Sequence, residues 1–320
     1  MLTREQDRLI RVEATQVLDD LAVTTYPIHP EAIAKVKQLS VRYVDGMPDG
    51  VFGALCRKNN RYQILVSNQC PTDGLRRFTL AHELGHYMLP GHAERMFRKD
   101  DETIHSLGGS YRRKDPLEIE ADTFASELLL PNRFARGVVC AGRPSVDSIV
   151  SLSTSFMVSV SAAAIRTAEL TDEPMAAILS HNGVCEWCAR SPSLADHGWS
   201  RRSLKNDQVP RGCATARLAS DVTRVTRGDR DDDTTPLSRW FDDAPAELEV
   251  IEEAIGLGPY GRVLTTLTFE HLPDPDELYV REQRRQRERW EREDAAVGDR
   301  SHRGDWRKPL RSFQWDDEEQ

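Results

Sequence analysis

Apolar positions near the start of the chain recur at helical spacing. Ile10, Ala14, Val17, Leu18 and Leu21 share one face and predict an amphipathic helix over Glu5–Leu21. Pro30, well placed in a helical first turn, predicts a second helix to about Lys37. The pattern then changes to three short β-like runs, Leu39–Val44, Val51–Cys56 and Tyr62–Val66, punctuated by Asp49-Gly50 and Asn59-Asn60 as turns. A helix from Leu75 to Leu89 is stopped by Pro90-Gly91. His92–Arg113 is polar and aperiodic and reads as a long surface loop, a length that often marks function. Asp115-Pro116 opens a helix over Leu117–Leu130, which Pro131 ends. Val146–Ser153 and Ser159–Leu170 predict two more helices, separated by a short break as in a helix-turn-helix.

Beyond Leu170 the pattern shifts again. Ala176–Ser180 and Val184–Arg190 read as strands paired around Asn182-Gly183, a strong hairpin signal. Gly198–Arg227 is mixed and strand-like, Gly228–Thr235 is a polar loop, Ala244–Ile255 is helix-like and Arg262–Phe269 is a strand. These predict a second α+β domain over residues 172–272, after a helix-turn-helix-like segment over 141–171. From Pro273 onward about half the residues are charged. Glu277–Asp294 reads as a solvated helix, and the rest of 273–320 as a disordered tail.

Composition narrows the function classes. With Lys+Arg 43 against Asp+Glu 52 the formal charge is −9, so no surface for polyanions, and no direct nucleic-acid contact, is expected. The second helix of the helix-turn-helix-like pair carries only Arg166 as a basic residue, which suits packing or protein docking better than DNA reading. No apolar run approaches the ~20 residues of a membrane span, and Met1–Asp20 has no signal-peptide core. A soluble, cytoplasmic chain with no membrane partner is expected. The 6 cysteines are too scattered for a disulfide scaffold. Only Cys185-x-x-Cys188 has motif spacing. It reads as small apolar thiols along a strand edge, with a metal site completed by Cys213 and His181 or His197, or a redox pair, as alternatives.

The chemistry concentrates in Phe78-Thr79-Leu80-Ala81-His82-Glu83-Leu84-Gly85-His86-Tyr87-Met88-Leu89. His82 and His86 lie one helical turn apart, so their imidazoles leave the same face and can bind one divalent metal. Glu83 is offset by one residue, suited to act as general base on water that the metal has acidified. The helix is apolar on most sides, and a buried helix bearing His, Glu and His needs a compensating partner. Gly85, unfavourable in mid-helix, predicts close approach by another backbone. A third ligand is expected from the helix after the loop, where Glu118 and Asp122 again share a face. One carboxylate can bind metal while the other accepts the free ring N–H of a ligating histidine. Glu120, about 160° around the axis, reads as a surface charge.

Phe78–His86, followed by Glu118-x-x-Ala121-Asp122-x-Phe124-Ala125-x-x-Leu128-Leu129-x-Pro131, resembles the ImmA/IrrE family of metallopeptidases. The Asp49-Gly50-Val51-Phe52 to Ile64-Leu65-Val66 hairpin and the Val146–Leu170 pair are similar to that family too. The resemblance covers about the first 170 residues. Trp240, Ala244–Ile255 and Arg262–Phe269 are compatible with the GAF-like C-terminal domain of IrrE-type proteins. What the resemblance implies is an α+β chain whose residues 1–140 form a zincin-like metallopeptidase domain with a small sheet and an HExxH helix. It implies zinc held by His82, His86 and Glu118, Glu83 as base, and Asp122 supporting the first histidine, where many relatives carry Asn. Manganese or iron accept the same ligands. It further implies a helix-turn-helix repressor as protein substrate, cleaved to switch on stress or mobile-element genes. A donor for the tetrahedral oxyanion is also needed, and Tyr111, His105, Arg112 and Tyr87 are the local candidates; Tyr111 and His105 sit in the long loop, Tyr87 in the core of the helix. The competing reading is a non-catalytic regulator that keeps the zinc fold as a repressor-docking module. The intact Glu83 argues against it, and the net charge argues against direct DNA binding.

Overall fold

The structure, a computed structural model, describes residues 2–59, 61–97, 103–105, 115–197, 203–270, 272 and helical positions at 277, 280, 283, 284 and 287–291. The chain divides into two units, Met1–His271 and Leu272–Gln320. In the second, Arg284 pairs with Glu288 and Arg287 with Glu291, one helical turn apart; most of 273–320 lies outside the described residues.

The first unit is mixed α+β. Helix α1 (Arg4–Asp20) is opened by Thr3, whose hydroxyl accepts from the Gln6 amide, and it buries Ile10, Ala14 and Leu18. After α2 (Pro30–Val36) come β1 (Ser40–Val44), β2 (Gly53–Lys58) and β3 (Arg61–Ser67), then α3 (Asp73–Met88). Next are α4 (His92–Met96), β4 (Thr103–His105) and α5 (Pro116–Leu129). The four strands form one sheet in the order β1-β3-β2-β4, with β1 parallel to β3 and the other pairs antiparallel. Leu55, Ile64 and Val66 from the sheet, Leu80 and Leu84 from α3, and Phe124 and Leu128 from α5 share one core with α1. The long loop expected over His92–Arg113 is therefore interrupted by a turn of helix and an edge strand. Its polar composition hid both, because α4 is one turn long and β4 only three residues.

Pro131 precedes α6 (Asn132–Val139), a short helix not among the expected elements, and α7 (Val146–Phe156) and α8 (Val160–Leu170) follow. Met157, with φ 54°, turns the chain between α7 and α8. Arg166 does not face outward. Its side chain, 3% exposed, pairs with Glu127 of α5 at 3.1 Å and donates to Asn132 Oδ1 at 3.0 Å, and Arg11 joins Glu127 from α1 at 3.2 Å. The single basic residue of the supposed recognition helix is thus a core ion-pair partner and has no access to a phosphate. No single helix among the described residues is long and apolar enough to cross a membrane.

The remaining strands, β5 (Met175–His181), β6 (Val184–Arg190), β7 (Arg230–Pro236), β8 (Glu249–Gly256) and β9 (Arg262–Thr268), form an antiparallel sheet in the order β6-β5-β9-β8-β7. Short helices α9 (Pro192–Asp196), α10 (Ala214–Ala219) and α11 (Val222–Arg227) lie between β6 and β7. Several expectations need correction here. The strand-like Gly198–Arg227 contains α10 and α11, the latter capped by Asp221 at its start and by Gly228 in the left-handed region at its end. The polar loop over Gly228–Thr235 is edge strand β7, whose acidic side chains are tied by Arg217 to Asp231 and Asp233. The helix-like Ala244–Ile255 contains strand β8, in which Val250, Glu252, Ala254 and Gly256 all face inward. Glu252 disguised the period of two. It is fully buried, accepting from the Thr215 amide at 2.8 Å, the Thr215 hydroxyl at 2.6 Å and Trp240 Nε1 at 3.2 Å. Of the features compatible with a GAF-like domain, Arg262–Phe269 holds strand β9 and Trp240 is buried, but the helix is a strand. Cys185 and Cys188 lie on edge strand β6 and are free thiols, and they form no metal-ligand cluster with Cys213 among the described residues.

Candidate metal centre

Helix α3 carries the candidate ligands because it is held from several sides. Thr72 accepts from the Leu75 amide at 3.1 Å and fixes its start. Buried Arg77 anchors it by donating to the Met157 carbonyl at 3.1 Å and to the Ile28 carbonyl. At Gly85 the expected close approach occurs. A Cβ there would stand 3.3 Å from Ala121 Cα and 3.1 Å from Phe124 Cδ1, so α5 crosses α3 beside the histidines.

That crossing brings Glu118, in the first turn of α5, onto the imidazoles of α3. His82 Nε2 and His86 Nε2 are 3.0 Å apart, and each lies 3.2 Å from an oxygen of Glu118. All three side chains are buried. Four donors about 2.1 Å from a tetrahedral centre would stand about 3.4 Å from one another, so these edges suit one small divalent cation. The far ring nitrogens point the same way. His82 Nδ1 is 2.9 Å from Asp122 Oδ1, and an ionised carboxylate only accepts, so the ring proton sits on Nδ1 and Nε2 turns a lone pair inward. Burial opposes charge on Glu118, yet contact with both histidines outweighs it and holds the carboxyl well below the usual carboxylate range. The helix N-terminus favours the anion as well.

Glu83 is buried one residue along, with its carboxylate against the start of β2, where a Cβ at Gly53 would lie 2.9 Å from Glu83 Oε1. Phe78 stands beside His82, ring centroids 6.3 Å apart, and lines a groove of about 590 Å³ between α3, α5 and α8 that Asp122 and Ile165 also border. Tyr87 packs edge-on against Tyr62 in the core. Tyr111 and Arg112 lie outside the described residues, as does the side chain of His105.

Two contributors escaped the sequence reading. Gly91, with φ 80°, turns the chain so that α4 folds back along α3 and buries His92. His92 Nδ1 lies 3.1 Å from His86 Nδ1, and its Nε2 lies 2.8 Å from Glu120 Oε2. Glu120 is accordingly not a mere surface charge. The helical wheel places it correctly, away from Glu118, but α4 packs on that flank. Burial, set against the bond to Glu120, lowers His92 below the ordinary imidazole value.

A family profile described as the IrrE N-terminal-like domain, Peptidase_M78, matches residues 53–168. The chain is similar to "Uncharacterized immunity region protein 2" of Bacillus phage phi105, with 40% identity over 75 residues. That match covers 23% of this chain and 41% of the relative, less than half its length. Among solved structures, a Mycobacterium tuberculosis transcriptional regulator is similar at 15% identity and TM-score 0.48, over 81% of this chain and 75% of that one. The matched profile spans α3 and α5, with the His82-Glu83-x-x-His86 and Glu118 motifs that the geometry joins, and residues 53–168 are an IrrE N-terminal-like domain of the ImmA/IrrE family.

Proposed function

We propose that the protein is a zinc-dependent endopeptidase that cleaves a helix-turn-helix transcriptional repressor in a stress or mobile-element response. The observation that carries the peptidase reading is the convergence of His82 Nε2, His86 Nε2 and Glu118 in a buried triangle, with Glu83 on the adjoining position of the same helix. His82, His86 and Glu118 would hold the metal, leaving one side of it for substrate. When bound, zinc supplies Lewis acidity towards a peptide carbonyl and towards water. Glu83 takes the proton that the attacking water gives up and passes it to the leaving amine. Asp122 keeps the His82 proton on Nδ1 and so keeps Nε2 available to the metal. Tyr111 is assigned to the oxyanion. The immunity-region relative supports a repressor as substrate, because immunity in a phage is a matter of repression.

The test is incubation of the zinc-loaded protein with a candidate helix-turn-helix repressor, sought first in the neighbouring reading frames, read by mass spectrometry of the products. A single cut by wild type and none by Glu83→Gln, with zinc content unchanged, is the expected result. Equal cutting by Glu83→Gln would remove the base role from Glu83. Stoichiometric repressor binding with no cut by either protein would favour the docking module.

A further inference from the structure

We propose that His92 and Glu120 are positioning residues that fix the proton of His86 and hold its ring against the metal. The inference rests on the metal reading above. Two carboxylates steer the two histidine ligands, and they do so by different routes. Asp122 reaches His82 directly, from a position where its side chain is 55% exposed. The corresponding edge of His86 points beneath α4 into the interior, where a carboxylate placed in direct contact would lose its hydration. His92 spans the gap instead, and it leaves the charge on Glu120, whose side chain is 22% exposed.

Each hydrogen has one allowed place along this route. The Glu120 carboxylate only accepts, so His92 Nε2 carries a proton and donates to it across 2.8 Å. A neutral His92 then has a bare Nδ1, which accepts across 3.1 Å from the Nδ1–H of His86. The same neutral bookkeeping leaves His86 Nε2 bare and directed at Glu118 and His82 Nε2. The chain Glu120, His92, His86 therefore ends in a lone pair at the ligand position. Consecutive hydrogen bonds polarise one another, so the carboxylate charge also makes that lone pair a stronger donor.

The experiment measures zinc affinity of the full chain by competition with a chromophoric chelator, alongside the melting temperature of the metal-free protein. His92→Leu is expected to weaken zinc binding roughly 10- to 100-fold, as losses of such outer partners do. His92→Asn places an amide oxygen near the former Nδ1 and should recover most of that loss, whereas a packing role would not be rescued by a smaller polar side chain. Glu120→Ala, at a partly exposed position where folding is not in question, should weaken binding by a smaller factor. Affinity of His92→Leu within twofold of wild type would overturn the relay, as would His92→Asn binding no better than His92→Leu, or Glu120→Ala binding as tightly as wild type. Failure of the metal reading looks different. Wild type would then take up no zinc, or His86→Ala would bind it undiminished.

Discussion

Gly53 sits on an ordinary strand, with no left-handed backbone to explain it, and its role is to leave room. A methyl group there would overlap the Cγ2 of Thr79 and stand 2.9 Å from Glu83 Oε1. Thr79 is buried, and its methyl must retreat by about 1 Å to restore the ~3.5 Å of a carbon contact. Overpacking of this kind destabilises by about 1–3 kcal/mol. Glu83 is the flexible end of a side chain and yields by a few tenths of an ångström. Misplacement of a reacting group by 1 Å can lower a rate about 100-fold, so the smaller shift corresponds to roughly 3- to 10-fold. Gly53→Ala should therefore lose stability in urea melts and lose cleavage rate, while binding zinc normally, since no ligand moves. Adding Thr79→Ser removes the overlapped methyl and should restore most of the stability without restoring the rate. The reasoning fails if Gly53→Ala melts like wild type, or if Thr79→Ser repairs rate and stability together.

Other expectations follow from the same contacts. Glu118→Ala should abolish stoichiometric zinc as read by elemental analysis, whereas Asp122→Ala should weaken binding but leave zinc measurable. Arg166→Met should cost about 3 kcal/mol in urea melts, the lower end for breaking a buried pair, because Arg11 and the Asn132 amide still hold Glu127. Burial raises Cys188 to about 12 and Cys185 and Cys213 to about 11, so at pH 8 all three are neutral thiols. Alkylation of the native protein at pH 8 should mark exposed Cys140 first, and fast labelling at Cys185 or Cys188 would restore the redox reading. A chain cut after Thr171 would remove Met175, Ala177 and Leu264 from the core they share with Ile149, Phe156 and Ala164, so it should aggregate or melt well below the full chain in a thermal scan.

The sequence was most legible where one physical demand dominated a segment. α1, α7 and α8 bury an apolar face and α3 is buried nearly all round, and the bounds of these helices and of α5 fall close to the runs that predict them. The hairpin around Asn182-Gly183 follows from a left-handed turn, φ 49° and 78° at the two residues. Legibility failed where tertiary partners replaced local pattern. Glu252 occupies an inward position of β8 because Thr215 and Trp240 are there to donate to it, and neither lies within reach along the sequence. Strand β7 is acceptable as a polar edge because Arg217 and Arg224, from the preceding helices, neutralise Asp231. In both, the compensating group was visible as a residue but not as a neighbour.

The candidate site divides along the same line. His82, Glu83, His86, Glu118 and Asp122 are each one helical turn or less from another member, so two helix periods suffice to collect them. What joins the two helices is the crossing at Gly85 and Ala121, which mid-helix glycine foretold. Gly53, His92 and Glu120 belong to no motif, since each acts across elements: a strand against Glu83, and a single turn of helix carrying His92 between His86 and Glu120. A metal centre makes demands of two kinds. The ligands must share a face, which a sequence can show, and every ring proton must be held away from the metal, which depends on packing. His82 meets the second demand through a carboxylate on the same helix as Glu118, and so was readable. His86 meets it through an imidazole delivered by a glycine turn, and a polar stretch resembling a loop gave no sign of it.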